Sequence, residues 1–196
     1  MTAPTTALVV RPAEPLVRSG ARFDPISMAF HWATALVVIA MFASAWAIGL
    51  AADAAGAQRM LSVHRSLGVT LWVVTLARLA WRLRFATRPP LPADLPRAQR
   101  LAAALNEGAL YAILLVQPLT GLAQSLARGR PFGLFGLEVP KLMVRDKAAA
   151  GLFHAIHALT ADLLIGLIVL HVGAALFHGL VRRDGVLASM IPNARG

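Results

Sequence analysis

Residues 148–181 read AAAGLFHAIHALTADLLIGLIVLHVGAALFHGLV, an apolar run that holds His154, His157, Asp162, His171 and His178 and no lysine or arginine. A bilayer core about 30 Å thick needs about 20 apolar residues of helix to cross it. This run exceeds that, so its ends project or the helix tilts. His157 and His171 are fourteen residues apart. Fourteen residues of α-helix advance about 21 Å and turn to within about 40° of the starting direction. Both histidines therefore face one side of one helix, separated by most of a membrane's thickness.

Three more apolar segments precede it, over 26–50, 61–83 and 101–126. Each is long enough to span, so the predicted fold is an all-α integral membrane protein, a four-transmembrane-helix bundle. Pro118 should kink the third helix, and Gln117 beside it needs a polar partner. The four prolines of 88–96 read as an extended loop, and 128–147, with Gly129, Pro131, Gly133, Gly136 and Pro140, as a longer one. Phe132, Leu134, Phe135 and Leu137 suggest that this second loop folds back onto the membrane surface. The expected organisation is a tail over 1–24, a membrane domain over 25–183 and a tail over 184–196. The first tail, with three prolines and mostly polar or small residues, does not read as a cleaved leader.

Composition agrees. The 196 residues are 58% hydrophobic and 14% charged, with a mean hydropathy of +0.66. The net charge of +10 does not point to nucleic acid, because the basic residues fall between the apolar segments, where they meet lipid headgroups. With the N-terminus inside, twelve Lys and Arg lie on the cytoplasmic side and seven outside, five of those in the 128–147 loop. The bias predicts both termini in the cytoplasm. There is no cysteine, which excludes thiol redox chemistry, Cys-ligated iron–sulfur clusters and covalently attached haem.

That topology gives each histidine a depth. His31 opens the first span on the inside and His64 opens the second on the outside. In the fourth, His157 lies toward the outside and His171 toward the inside. Depth pairs His31 with His171 and His64 with His157, each pair joining two helices. Two axial imidazoles on opposite faces of one iron are what a six-coordinate haem takes, so the four suit two haems. A lone membrane histidine is often only an interhelical hydrogen bond; four that pair by depth argue for ligation. His154, about 100° off the His171 face, remains the alternative outer ligand. His178, seven residues past His171, suits a hydrogen bond or proton for a quinone headgroup, or a lipid phosphate. Arg78, fourteen residues after His64, and Arg65 suit haem propionates, or snorkel to the headgroups. Asp162 lies about 140° from His157, away from the haem face. Gly166 and Gly173 suit close approach to a neighbouring helix or a macrocycle. No catalytic triad, phosphate loop or zinc spacing is present.

Ser27–Met28–Ala29–Phe30–His31–Trp32, Val63–His64–Arg65–Ser66–Leu67–Gly68, Ala127–Arg128–Gly129–Arg130–Pro131–Phe132 and the His157/His171/His178 series resemble the bacterial cytochrome b561 proteins. The likeness covers nearly the whole chain after about residue 22, and the N-terminal tail is longer than that family suggests. The resemblance implies two b-type haems, His31, His64, His157 and His171 as axial ligands, ubiquinone as electron acceptor, and placement in the bacterial inner membrane. Members of that family are associated with oxidising superoxide at the outer face. Arg128, Arg130, Lys141, Arg145 and Lys147 would attract superoxide or another small anionic donor. The rival expectation is an electron-transfer subunit taking electrons from a dehydrogenase or a soluble redox partner protein. A third, proton or metal-ion transport, lacks the expected repeats and broken helices.

Overall fold

The computed structural model describes residues 22–192. Residues 1–21 of the first predicted tail and 193–196 of the second, with Arg11, Arg18 and Arg195 of the charge count, lie outside these residues. Four long helices dominate: α1 Pro25–Gly49, α2 Ala54–Arg84, α3 Arg97–Ala127 and α4 Lys147–Leu176. All four are long and apolar enough to cross a membrane. The ends follow local chemistry. Asp24, Asp53 and Asp146 cap α1, α2 and α4, each accepting a backbone N–H three residues on. Pro25 opens α1, where its missing donor costs nothing. The helix α3 runs through Pro118, and Gln117 finds the partner it needs: its Nε2 donates to the His157 carbonyl at 3.0 Å.

Burial is inverted relative to a water-soluble bundle. Leu36 and Ile39 are 66% and 65% exposed while Thr75 is 0% exposed, and Thr34, Ser44, Asn106, Gln117 and Thr120 are also buried. Such apolar outer faces suit lipid, and of the buried polar groups Ser44, Asn106, Gln117 and Thr120 reach a neighbouring helix. The apolar core takes Val38 and Met41 from α1, Leu71 from α2, Leu114 from α3 and Leu164 from α4. Leu164 lies in sequence between His157 and His171, and the cluster it belongs to therefore separates the two histidine levels. The helix α1 packs along α2, α4 along α3, and α2 against α3, whereas α1 and α4 hardly touch.

The 128–147 segment is more ordered than a loop. It holds a hairpin, β1 Phe132–Leu134 paired antiparallel with β2 Leu137–Val139. Phe135 and Gly136 both have positive φ, 51° and 77°, the two-residue turn that matches strand twist. The Phe135 N–H donates to Ser66 Oγ at 2.7 Å, and β1 lies against α2. Phe132 is buried, while Phe135 and Leu137 are exposed. The fold-back is therefore onto the N-terminal half of α2, and Phe135, Leu137, Leu142, Met143 and Val144 stay exposed.

At the far end, α4 loosens into a π-helix, α5, over Phe177–Arg182, and the chain returns through a short 3-10 turn, α6, at Ala188–Met190. Trp32 Nε1 donates to the Met190 carbonyl at 2.8 Å, and Phe23 N to that of Ser189 at 3.2 Å. Asp24 ties this end together. It accepts from Ser27 N at 2.8 Å, Ser27 Oγ at 2.7 Å, Trp81 Nε1 at 3.1 Å and Thr87 N at 3.2 Å. Burial works to raise its pKa, but those donors outweigh burial and hold it at about 2. A carboxyl held below its unfolded value of about 3.9 stabilises the fold above that pH. The contribution is lost as pH falls from about 4 to about 2. Asp24→Asn is expected to lower the thermal midpoint at pH 7 and to flatten its acid dependence over that window. An unaltered acid slope in Asp24→Asn would remove Asp24 from this role.

Candidate haem-binding site

Four of the six histidines meet in two pairs. His31 of α1 and His171 of α4 have ring centroids 6.0 Å apart. His64 of α2 and His157 of α4 are 6.3 Å apart, at the hairpin end. Two imidazoles on opposite faces of one metal, each bonded at about 2 Å, put their centroids roughly 6 Å apart. Among the described residues no three His, Cys, Asp or Glu side chains gather as at a protein-only metal centre. Histidines in twos, across helices, are the donor set of a bis-imidazole haem and fit that group.

The tautomers at the hairpin end fit too. Ser44 Oγ is 3.0 Å from His64 Nδ1 and donates its only proton to the Met41 carbonyl at 2.8 Å. It can therefore only accept from His64 Nδ1–H. Thr120 Oγ1 donates to the Gln117 carbonyl at 2.7 Å and lies 3.0 Å from His157 Nδ1, which is also 3.1 Å from that carbonyl. Both rings thus carry the proton on Nδ1 and present a bare Nε2, the arrangement of most metal-bound histidines. Ser44 of α1 meets His64, and α3 supplies the contacts to His157 without supplying a ligand. A Cβ on Gly121 would stand 3.0 Å from His157 Cε1, so the imidazole seats against bare backbone.

His154 stands apart. It is exposed on α4, and Gln124 Nε2 lies 3.1 Å from its Nδ1. Gln124, Arg128, Arg145, Lys147 and His154 line an open cavity of about 300 Å³. Arg65 reaches the same end: its Nε donates to Ser125 Oγ at 2.9 Å and its guanidinium lies 5.2 Å over the Phe132 ring.

The far end is built differently. Arg78 Nη2 is 3.2 Å from His31 Nδ1. Arg82 grips Glu107 with both of its terminal nitrogens, and Arg78 and Arg82 lie 5.2 and 5.3 Å over the Tyr111 ring. His178 Nδ1 contacts Asp184 Oδ2 at 2.6 Å, and Arg182 ties Asp184 to Asp94 at 3.0 and 2.5 Å. Burial works to raise the pKa of Asp184, but the hydrogen bonds from His178, Val186 and Arg182 outweigh it and hold that carboxyl below its ordinary value. Asp162 is exposed on α4, on the side opposite the buried Leu164, away from both pairs as its helical offset predicts. Sequence reasoning missed Ser44, Thr120, Gly121, Glu107, Tyr111 and Asp184. Only Asp184, an acid six residues beyond His178, left a trace in the sequence.

The sequence profile of a family described as "Prokaryotic cytochrome b561" matches residues 22–193. "Cytochrome b561 homolog 2" of Escherichia coli (strain K12) is 33% identical over 172 residues, 87% of this chain and 91% of that protein. "Cytochrome b561 homolog 1" of the same organism is 28% identical over 175 residues, 89% of this chain and 99% of that protein. "Probable superoxide oxidase CybB" of Yersinia pestis is 29% identical over 175 residues, 89% and 98% of the two chains. With its four candidate spans and histidines paired across helices, the chain belongs to the prokaryotic cytochrome b561 family, whose cofactor is b-type haem.

Proposed function

We propose that this protein is a transmembrane di-haem b electron carrier that oxidises superoxide outside and reduces ubiquinone near the inner face. It lies in the bacterial inner membrane with both termini cytoplasmic. The observation that carries the reading is the pairing of four histidines at 6.0 and 6.3 Å. His64 and His157 would hold the outer haem, His31 and His171 the inner. Bound there, the two haems supply one-electron carriage across the apolar core. The similarity to a protein named as a probable superoxide oxidase supports the choice of donor.

The chain's own residues have separable tasks. Arg128, Arg145 and Lys147 around the hairpin-end cavity, with Arg130 and Lys141 nearby in sequence, draw in a small anion. Arg65 at the outer level and Arg78 at the inner would pair with haem propionates. Asp184 accepts from His178 Nδ1 and leaves Nε2 to pass a proton to ubiquinone as it gains electrons. Two superoxide ions give two electrons and leave as dioxygen; ubiquinone takes those electrons and two cytoplasmic protons to become the quinol.

The test is stopped-flow mixing of superoxide with the purified, haem-loaded protein and a soluble ubiquinone analogue, without a partner. Quinol should form catalytically, and the rate should fall roughly tenfold between about 0.01 and about 1 M salt as the basic surface is screened. A reaction that needs an added redox protein would favour the second reading, an electron-transfer subunit. The exposed Phe135 and Leu137 beside this basic surface are suited to docking such a protein.

A further inference from the structure

The two histidine pairs differ in what meets their Nδ1 atoms. At the hairpin end the partners are all acceptors: Ser44 Oγ for His64, and Thr120 Oγ1 with the Gln117 carbonyl for His157. At the far end the partner of His31 is the Arg78 guanidinium, a donor and a cation. Glu107 does not cancel that charge, because Arg82 already pairs with it. For His31 to offer Nε2 to iron, its proton moves to Nδ1 and Arg78 turns its donor to another acceptor. The positive charge stays within side-chain reach.

An acceptor on Nδ1–H makes an imidazole more electron-giving and favours the oxidised metal; a nearby cation favours the reduced one. We propose that Ser44, Thr120 and the Gln117 carbonyl hold the haem of the His64–His157 pair at the lower reduction potential, and that Arg78 holds that of the His31–His171 pair at the higher. An electron entering at the hairpin end then runs downhill to the far end. This rests on the di-haem reading above. Ser44 and Thr120 act through the ligands as positioning residues; Arg78 acts through its charge.

The test is a potentiometric titration of the full haem-loaded chain in lipid nanodiscs, read by visible absorbance, with haem counted per chain. Two one-electron waves are expected, and the one that survives in His171→Ala should be the lower. Ser44→Ala and Thr120→Val should raise only the lower wave, and Thr120→Ser should restore it. Arg78→Gln should lower only the upper wave, and Arg78→Lys should keep it. The expected size is on the order of tenfold in the electron's distribution, about 59 mV. Should Thr120→Val lose haem, Ser44→Ala reads the same effect with the smaller change. Two haems per chain with one unsplit wave, or waves unmoved in variants that keep both haems, would overturn the inference and leave the di-haem reading standing. Fewer than two haems per wild-type chain would overturn both.

Discussion

Replacing His171 by alanine is expected to halve the haem content, from two to one per chain. His31 would lose the imidazole whose ring stands 6.0 Å from its own, and a single axial histidine does not sustain a six-coordinate low-spin haem. The hairpin-end pair uses a different stretch of α4, about 21 Å away, and should keep its spectrum. A dithionite-reduced minus oxidised spectrum with haem quantified per chain reads this directly. Electron delivery from superoxide to ubiquinone should fall at least a hundredfold, because the surviving haem lies the far side of the Val38, Met41, Leu71, Leu114 and Leu164 core from His178. Retention of both haems in His171→Ala would sink the pairing.

The second large effect separates two neighbours. His157→Ala should remove the outer haem, and His154→Ala should leave both in place. His157 is held on one side by Thr120 and the Gln117 carbonyl and packs against Gly121, with His64 on another. His154 is exposed beside Gln124 and lines the basic cavity. The His154 variant should therefore show its effect in the rate of superoxide oxidation rather than in haem content. Loss of the outer haem from His154→Ala, with His157→Ala intact, would exchange their roles.

The spans and histidine pairs were legible because membrane helices leave two strong signals: continuous apolar length, and rare ionisable side chains whose spacing along a rod gives both depth and face. The spans expected over 26–50 and 148–181 accordingly fall on the helices Pro25–Gly49 and Lys147–Arg182. What α3 does was not legible. It carries no histidine, and its part is played by a main-chain carbonyl, a hydroxyl and a missing side chain at Gln117, Thr120 and Gly121, whose rotation toward α4 no periodicity specifies. The hairpin was hidden for a related reason. Its strands are three residues each, too short to show alternation, and its turn is set by Phe135 at positive φ, a conformation such a residue adopts rarely. Asp184 meets His178 only because α4 ends in a π-turn and the chain reverses through Arg183 and Gly185, both at positive φ.

Asp162 bears on how the chain enters the bilayer during synthesis. Halfway along α4 and turned away from the core, it resists insertion at a cost of about 2.5–3.5 kcal/mol for a mid-helix aspartate. Each Leu, Ile or Val near it favours entry by about 0.3–0.6 kcal/mol. Leu159, Leu163, Leu164, Ile165, Leu167, Ile168, Val169 and Leu170 together offset one carboxylate by that measure. The span that carries Asp162 also holds the most apolar 18-residue stretch of the four, with a mean hydropathy of 2.2. Its surplus of aliphatic side chains favours entry of α4 on its own, so the helix proposed to donate a ligand to each of two haems would be in place before either haem arrives.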